Sequence, residues 1–175
     1  AIIFATGAHG GQKLGIPGEE EIAVVDGVSF LRDVNLNKLV KTDGKVAVIG
    51  GGNVAIDAAR SALRLGAEEV SVLYRRERDD MPAYAEEIDE AEHEGVKIHT
   101  LIAPNKIITK NGKVTGVECT RMSLGKFDKS GRRSPQAIEG SEFVVDADLV
   151  IAAIGQSPDL SYLNGDGVKI TKNNT

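Results

Sequence analysis

KVAVIGGGNVAIDAARSALRLGAEEVSVLYRR, residues 45–76, reads in one pass as strand, glycine turn, helix, strand and arginine pair. Residues 45–49 are the apolar run expected of a buried parallel strand. Gly50, Gly52 and Ala55 then give the spacing G-x-G-x-x-A. Residues 53–65 predict a helix whose apolar face is Ala55, Ile56, Ala59, Ala62 and Leu63, with Gly66 as its stop. Residues 70–74 predict the second strand. This is the layout of a mononucleotide-binding βαβ half.

Each small residue has a physical task in that layout. A diphosphate needs backbone N–H donors and positive potential, and the unpaired amides at a helix start supply both. Gly50 can take the positive φ of the strand-to-helix turn. Gly52 lacks a Cβ, so phosphate oxygens can approach the chain there, and Ala55 lets the helix lie close on the sheet. The alternative, a tight structural turn with no ligand, is disfavoured because strand and helix flank the glycines in the correct order.

The end of the second strand is where such folds read the ribose. NAD sites place an acid there. Here Tyr74, Arg75 and Arg76 occupy the place, Tyr74 lying 24 positions beyond Gly50, near the expected offset of about 20. Glu68 and Glu69 fall before the strand, at its wrong end. A 2′-phosphate carries close to two negative charges and suits guanidinium forks. Arg75 and Arg76 are therefore the expected 2′-phosphate clamp, with NADPH preferred over NADH. A competing reading is a solvated charge cluster balanced by Glu77, Asp79 and Asp80.

The chain has 175 residues, 41% of them hydrophobic, and 20 glycines. That length suffices for one nucleotide-binding domain with a good core. A net charge of −5 argues against a nucleic-acid or anionic-membrane partner. No apolar run reaches the length of a membrane span, and no signal peptide is evident. The single cysteine, Cys119, excludes an internal disulfide and an iron–sulfur site built from this chain's cysteines alone. It sits in an alternating run and reads as a buried strand residue. A cytoplasmic location is the default expectation. The chain opens inside an apolar run without methionine and closes on Asn173-Asn174-Thr175, which suggests a piece of a longer protein.

Around the central unit, residues 1–5 read as a strand and Thr6-Gly7-Ala8 as a turn. Residues 10–21 form a glycine-rich loop. Asp26 can cap a short helix through about Asn35. Met81-Pro82 should open another helix with the stripe Met81, Ala85, Ile88 and Ala91, stopped by Gly95. Its acids, Glu86, Glu87, Asp89, Glu90, Glu92 and Glu94, read as a solvent face. Residues 96–102 complete a β-α-β-α-β run. Residues 106–109, 113–122 and 142–145 then alternate as antiparallel strands, with Asn111-Gly112 as a hairpin turn. Residues 125–140 read as a polar loop crossing between them. Residues 148–154 are the last parallel strand.

The motifs ATGA (5–8), IPGE (16–19), GGGNVAIDAAR (50–60), YRR (74–76) with MPA (81–83), GRR (131–133), GSEF (140–143) and IGQSPD (154–159) together resemble the glutamate synthase small-subunit family. Its relatives include the flavoprotein part of dihydropyrimidine dehydrogenase and the NADPH-side subunit of electron-bifurcating transhydrogenases. The resemblance covers nearly the whole chain. It implies an α/β, Rossmann-like three-layer FAD/NAD(P)-binding domain, with a central parallel sheet and an antiparallel β insertion. In that family an outer FAD domain holds an inserted NAD(P)H domain, and an iron–sulfur region often precedes both. Residues from about 8 to 155 correspond to the inserted domain. Residues 1–7 and 156–175 correspond to its junctions with an FAD domain that this chain lacks. Gly165-Asp166-Gly167 is not read as the FAD domain's Gly-Asp motif, since no helix follows it. A thioredoxin-reductase function would need a CxxC, which is absent.

The implied chemistry is hydride transfer from NADPH to FAD, then to iron–sulfur centres elsewhere in the parent or to a larger partner subunit. The fragment alone is expected to be inactive. The diphosphate is assigned to the backbone of Gly51, Gly52, Asn53 and Val54. Ile154, Gly155 and Gln156 should lie near the nicotinamide. The side chains of Asn53 and Asp57 read either as cap and dipole-matched acid or as cofactor contacts. His9, His93 and His99 lack ligand spacing, and no nucleophile, general base or metal site is expected. Alternatives of another class are a nucleotide-binding regulatory module without flavin chemistry and an NADH-linked ferredoxin or transhydrogenase-type subunit. A stand-alone dehydrogenase would need a substrate domain, for which no residues remain.

Overall fold

The alternation within residues 45–49 sorts side chains into two cores on opposite faces of one sheet. In the computed structural model, which describes residues 6–38, 41–128 and 131–161, β1 is Gly10–Gly11, β2 is Val24–Asp26 and α1 is Gly27–Asn35. The central unit follows as β3 (Lys45–Ile49), α2 (Asn53–Arg64) and β4 (Glu69–Leu73). After a 3₁₀ turn at Arg78–Asp80 come α3 (Ala85–Glu94) and β5 (Lys97–His99). The insertion comprises β6 (Ile102–Lys110), β7 (Lys113–Phe127) and β8 (Arg133–Asp146), and β9 (Leu149–Ala152) and β10 (Gln156–Ser157) complete the described elements.

Five parallel strands form the central sheet in the order β2-β9-β3-β4-β5. Successive strand residues face opposite sides. Val46, Val48, Val70 and Val72 therefore pack with Ala55, Ile56, Ala59 and Ala62 of α2, Phe30 of α1 and Ile88 of α3. Ala47, Ile49, Leu73 and Val150 turn the other way, onto Ile107, Val114, Val117 and Cys119 of the three-stranded antiparallel sheet β6-β7-β8. Helices, parallel sheet and antiparallel sheet are thus the three layers the resemblance implied. Ala58 is also fully buried, so the buried face of α2 is wider than the sequence stripe. No helix among the described residues is long and apolar enough to cross a membrane.

Several local expectations hold at atomic detail. Asp26 caps α1, its carboxylate accepting the Ser29 N–H at 2.9 Å. Asp26→Ala should cost about 1 kcal/mol, seen as a lowered urea midpoint with an unchanged slope. Asn111 and Gly112 have φ of 54° and 72°, the paired positive values of a type I′ hairpin turn, and join Lys110 to Lys113. Cys119 is fully buried, and burial pushes its thiol up to about 12, so it is inert as a nucleophile. Residues 1–5 and 165–167, read above as a strand and a Gly-Asp-Gly stretch, lie outside the described residues.

Four expectations are corrected. The third helix starts at Ala85 instead of Met81. Met81 is extended, at ψ 128°, as a residue before proline favours, and the Ala83 N–H is drawn to the Gly51 carbonyl at 3.1 Å. Ala85 is consequently exposed and leaves the apolar stripe. The acids of α3 are more than a solvent face: Glu87, Glu90 and Glu94 all bind Arg60 of α2, and Asp89 and Glu92 bind Arg78. The strand expected over 96–102 breaks at Leu101, whose φ is +56°, so Ile102 enters the antiparallel sheet. Residues 125–140 are mainly ladder. β7 and β8 pair as far as Phe127 and Arg133, forming an arm exposed on both faces, and such an arm carries no apolar alternation to read.

Candidate coenzyme site

At the carboxyl ends of β3, β4 and β9 lies a cavity of about 740 Å³. That edge is where open α/β sheets bind ligands. Its floor is apolar, from Ile49, Leu73, Ala152 and Ile102. One wall is the glycine turn, Gly50 through Val54, and the opposite wall is Ala153 through Gln156. Arg75 and Pro82 close a third side, and Gln12, Leu14 and Ile16 of the entry loop a fourth.

Three adjacent glycines do three different things. Gly50 has φ +146°, and a Cβ there would overlap the Ala153 carbonyl oxygen and stand 2.8 Å from its carbon. Gly51 must be bare because the Tyr74 ring lies where its Cβ would point, 2.5 Å away. Around Gly52 nothing lies within 4 Å of a built Cβ, so it faces open space. Gly52 is also the N-cap of α2 and offers no side-chain cap. The first-turn amides and their positive potential are therefore left to whatever enters the cavity.

Asn53 contributes its backbone to that wall, but its side chain is spoken for. Its Oδ1 accepts the Tyr84 N–H at 3.1 Å. With the Ala83 bond to Gly51, this hooks residues 83–84 back over the glycine turn. Asn53 therefore caps the approach to α3 and not its own helix. Asp57 is exposed on α2 and does not line the cavity.

The two arginines after β4 part company. Arg75 is exposed and lines the cavity, with no hydrogen-bond or ion-pair partner among the described residues. Arg76 is only 5% exposed and does not line it. Its Nη2 donates to Asp128 Oδ2 at 3.0 Å and its Nε to the Arg133 carbonyl at 2.9 Å. The acid that balances it is thus Asp128, not Glu77, Asp79 or Asp80.

On the opposite wall, Gly155 has φ +146°, the same value as Gly50. Its carbonyl accepts the Gln12 N–H at 3.0 Å, and β1 and β10 pair antiparallel. The entry loop and the segment leaving β9 thus lie side by side at the cavity. Ile154, Gly155 and Gln156 line this wall. Sequence reasoning missed the lining by Gln12, Leu14 and Pro82. The IPGE and MPA motifs were the available signal, since Leu14 lies two residues before the first, Ile16 opens it and Pro82 is the centre of the second. Of the histidines, His99 lies beside Ser71 Oγ at 3.3 Å, and burial lowers its pKa.

The family described as pyridine nucleotide-disulphide oxidoreductase matches residues 1–175. The chain is 49% identical over 168 residues to the beta subunit of an NADP(+)-dependent formate dehydrogenase from Moorella thermoacetica, covering 94% of this chain and 24% of that one. It is 40% identical over 171 residues to a glutamate synthase [NADPH] small chain from Azospirillum brasilense, covering 91% and 35%. It spans, in other words, roughly a quarter to a third of these relatives' length. Among solved structures, FprA, a Mycobacterium tuberculosis oxidoreductase, superposes with a TM-score of 0.80 at 21% identity, covering 98% of this chain and 52% of FprA, a likeness of fold.

Proposed function

This chain belongs to the pyridine nucleotide-disulphide oxidoreductase family, and from that premise we propose that it is the NADPH-binding domain of a longer FAD-dependent oxidoreductase. Residues from about 8 to 155 form the domain, and residues 1–7 and 156–175 are its junctions with an FAD domain. The observation that carries the reading is the open space over Gly52 at the uncapped start of α2, with the exposed Arg75 on the same cavity. A diphosphate suits that cradle: the first-turn amides of α2 have no side-chain cap, and the space where a side chain would otherwise stand is open.

Each wall then has a role. Gly51, Gly52, Asn53 and Val54 bind the diphosphate. Arg75 meets the 2′-phosphate, with Arg76 held behind it. Ile154, Gly155 and Gln156 place the nicotinamide, and the apolar floor excludes water from it. When bound, the nicotinamide supplies a hydride to the flavin of the FAD domain. Hydride transfer between the two cofactors needs no acid or base from this chain. Two of the relatives are named as a beta subunit and a small chain, which supports a partner subunit that takes the electrons onward, with iron–sulfur centres elsewhere in the parent. A cytoplasmic location goes with this reading.

Parallel calorimetric titrations of NADPH and NADH test it. Arg75→Ala should weaken NADPH by about 2 kcal/mol, the scale of charge-assisted hydrogen bonds, and leave NADH within about twofold. Equal losses for the two coenzymes would remove the selectivity assignment. Reduction of the parent's flavin absorbance by NADPH tests the hydride step, and an unbleached flavin would favour a regulatory nucleotide module.

A further inference from the structure

The arm formed by the outer parts of β7 and β8 has no role in the coenzyme site as described, yet its tip is tied to the end of β4. Asp128 organises the tip. Its N–H donates to the Arg132 carbonyl at 2.7 Å, and its own carbonyl accepts the Gly131 N–H at 3.0 Å. Its Oδ1 accepts the Arg132 N–H at 3.2 Å. The remaining carboxylate oxygen, Oδ2, is the one that takes Arg76 Nη2 at 3.0 Å. Arg76 Nε grips the same turn at the Arg133 carbonyl, 2.9 Å away. On the other side of the same residue, the Arg76 carbonyl accepts the Leu101 N–H at 3.0 Å. Arg76 is thus spanned between three segments and almost fully buried, while its neighbour Arg75 is exposed and lines the cavity.

We propose that Arg76 and Asp128 form a latch that fastens the β7–β8 tip to the end of β4 and sets the preference for the 2′-phosphorylated coenzyme, Arg76 being a positioning residue and not a phosphate ligand. The proposal rests on the coenzyme reading above. One effect connects the latch to selectivity. Pinning residue 76 restricts how the chain can leave β4, so Arg75 loses less conformational freedom when it meets a phosphate.

The test uses the full-length protein, with KM and kcat measured separately for NADPH and NADH with ferricyanide as electron acceptor. Asp128→Asn and Arg76→Ala should each raise KM for NADPH about tenfold, keeping kcat and the NADH KM within about twofold. The double variant should be no worse than the worse single one, because either change opens the same latch. Asp128→Glu should recover part of the loss. If Arg76→Ala weakens NADPH while Asp128→Asn leaves it unchanged or tighter, Arg76 binds the phosphate itself and the latch is overturned. If both coenzymes shift together, or neither shifts, the pair is only structural and the proposal also falls. Should Arg76→Ala fail to fold, the isosteric Asp128→Asn decides alone. Arg75→Ala, run alongside, reports on the underlying coenzyme reading: no effect on NADPH there would sink that reading whatever the latch variants show.

Discussion

Gly52→Val is expected to abolish dinucleotide binding while the protein unfolds at a nearly unchanged urea midpoint. The two halves of that result have separate causes. Gly52 has φ −92° and ψ 176°, extended backbone that valine adopts without strain. No atom lies within 4 Å of the new Cβ, so nothing in the protein has to move. Valine is a poorer N-cap than glycine, which limits the stability change to about 1 kcal/mol. The space it fills, however, is the approach to the first-turn amides of α2. Losing even two charge-assisted bonds from those amides costs about 3 kcal/mol or more, at least a hundredfold in Kd. Calorimetry with NADPH and a urea transition on the same preparation check both halves. Retained affinity would mean that the phosphates bind elsewhere, and a large drop in midpoint would mean that Gly52 is a packing residue.

Gly50→Ala, two positions earlier, is expected to fail in the opposite way. The added methyl would overlap the Ala153 carbonyl, whose carbon would be 2.8 Å away. That carbonyl belongs to backbone held in place, since the Ala153 N–H donates to the Ile49 carbonyl at 2.8 Å. A φ of +146° is in addition a region that L-residues avoid. Overpacking and backbone strain together should cost about 3–5 kcal/mol, a large share of the roughly 5–15 kcal/mol that holds a domain together. The urea midpoint should fall accordingly, and a change below about 1 kcal/mol would show that the turn relaxes freely. Measured side by side, the two glycine variants separate the residue that shapes the turn from the residue that leaves room for a ligand.

Neighbouring glycines with such different roles illustrate what a sequence can and cannot disclose. The βαβ unit was readable because its signals are local: a five-residue apolar run, glycines at fixed spacing and a helical stripe all lie within residues 45–76. Asp26 as a cap and Asn111-Gly112 as a turn were readable for the same reason, since each is decided by the backbone within three residues of itself. The start of α3 was not. Pro82 is a good first helical residue by composition, but the amides of Ala83 and Tyr84 find acceptors at Gly51 and Asn53, some thirty positions back in the chain. The β7–β8 arm was hidden for another reason. It is held by ladder hydrogen bonds and exposed on both faces, so burial leaves no periodic mark on its sequence.

The sequence by itself determined the central βαβ unit and the place of the cavity, because hydrophobic period and glycine spacing act over one or two turns of chain, and the layer order followed from the family resemblance. Only the tertiary structure decided what each member of an adjacent pair does. Arg75 and Arg76 are identical in chemistry and stand just beyond the last residue of β4, where no ladder partner dictates which way a side chain points. Asp128, 52 positions away in sequence, captures one of them, and the other is left facing the cavity.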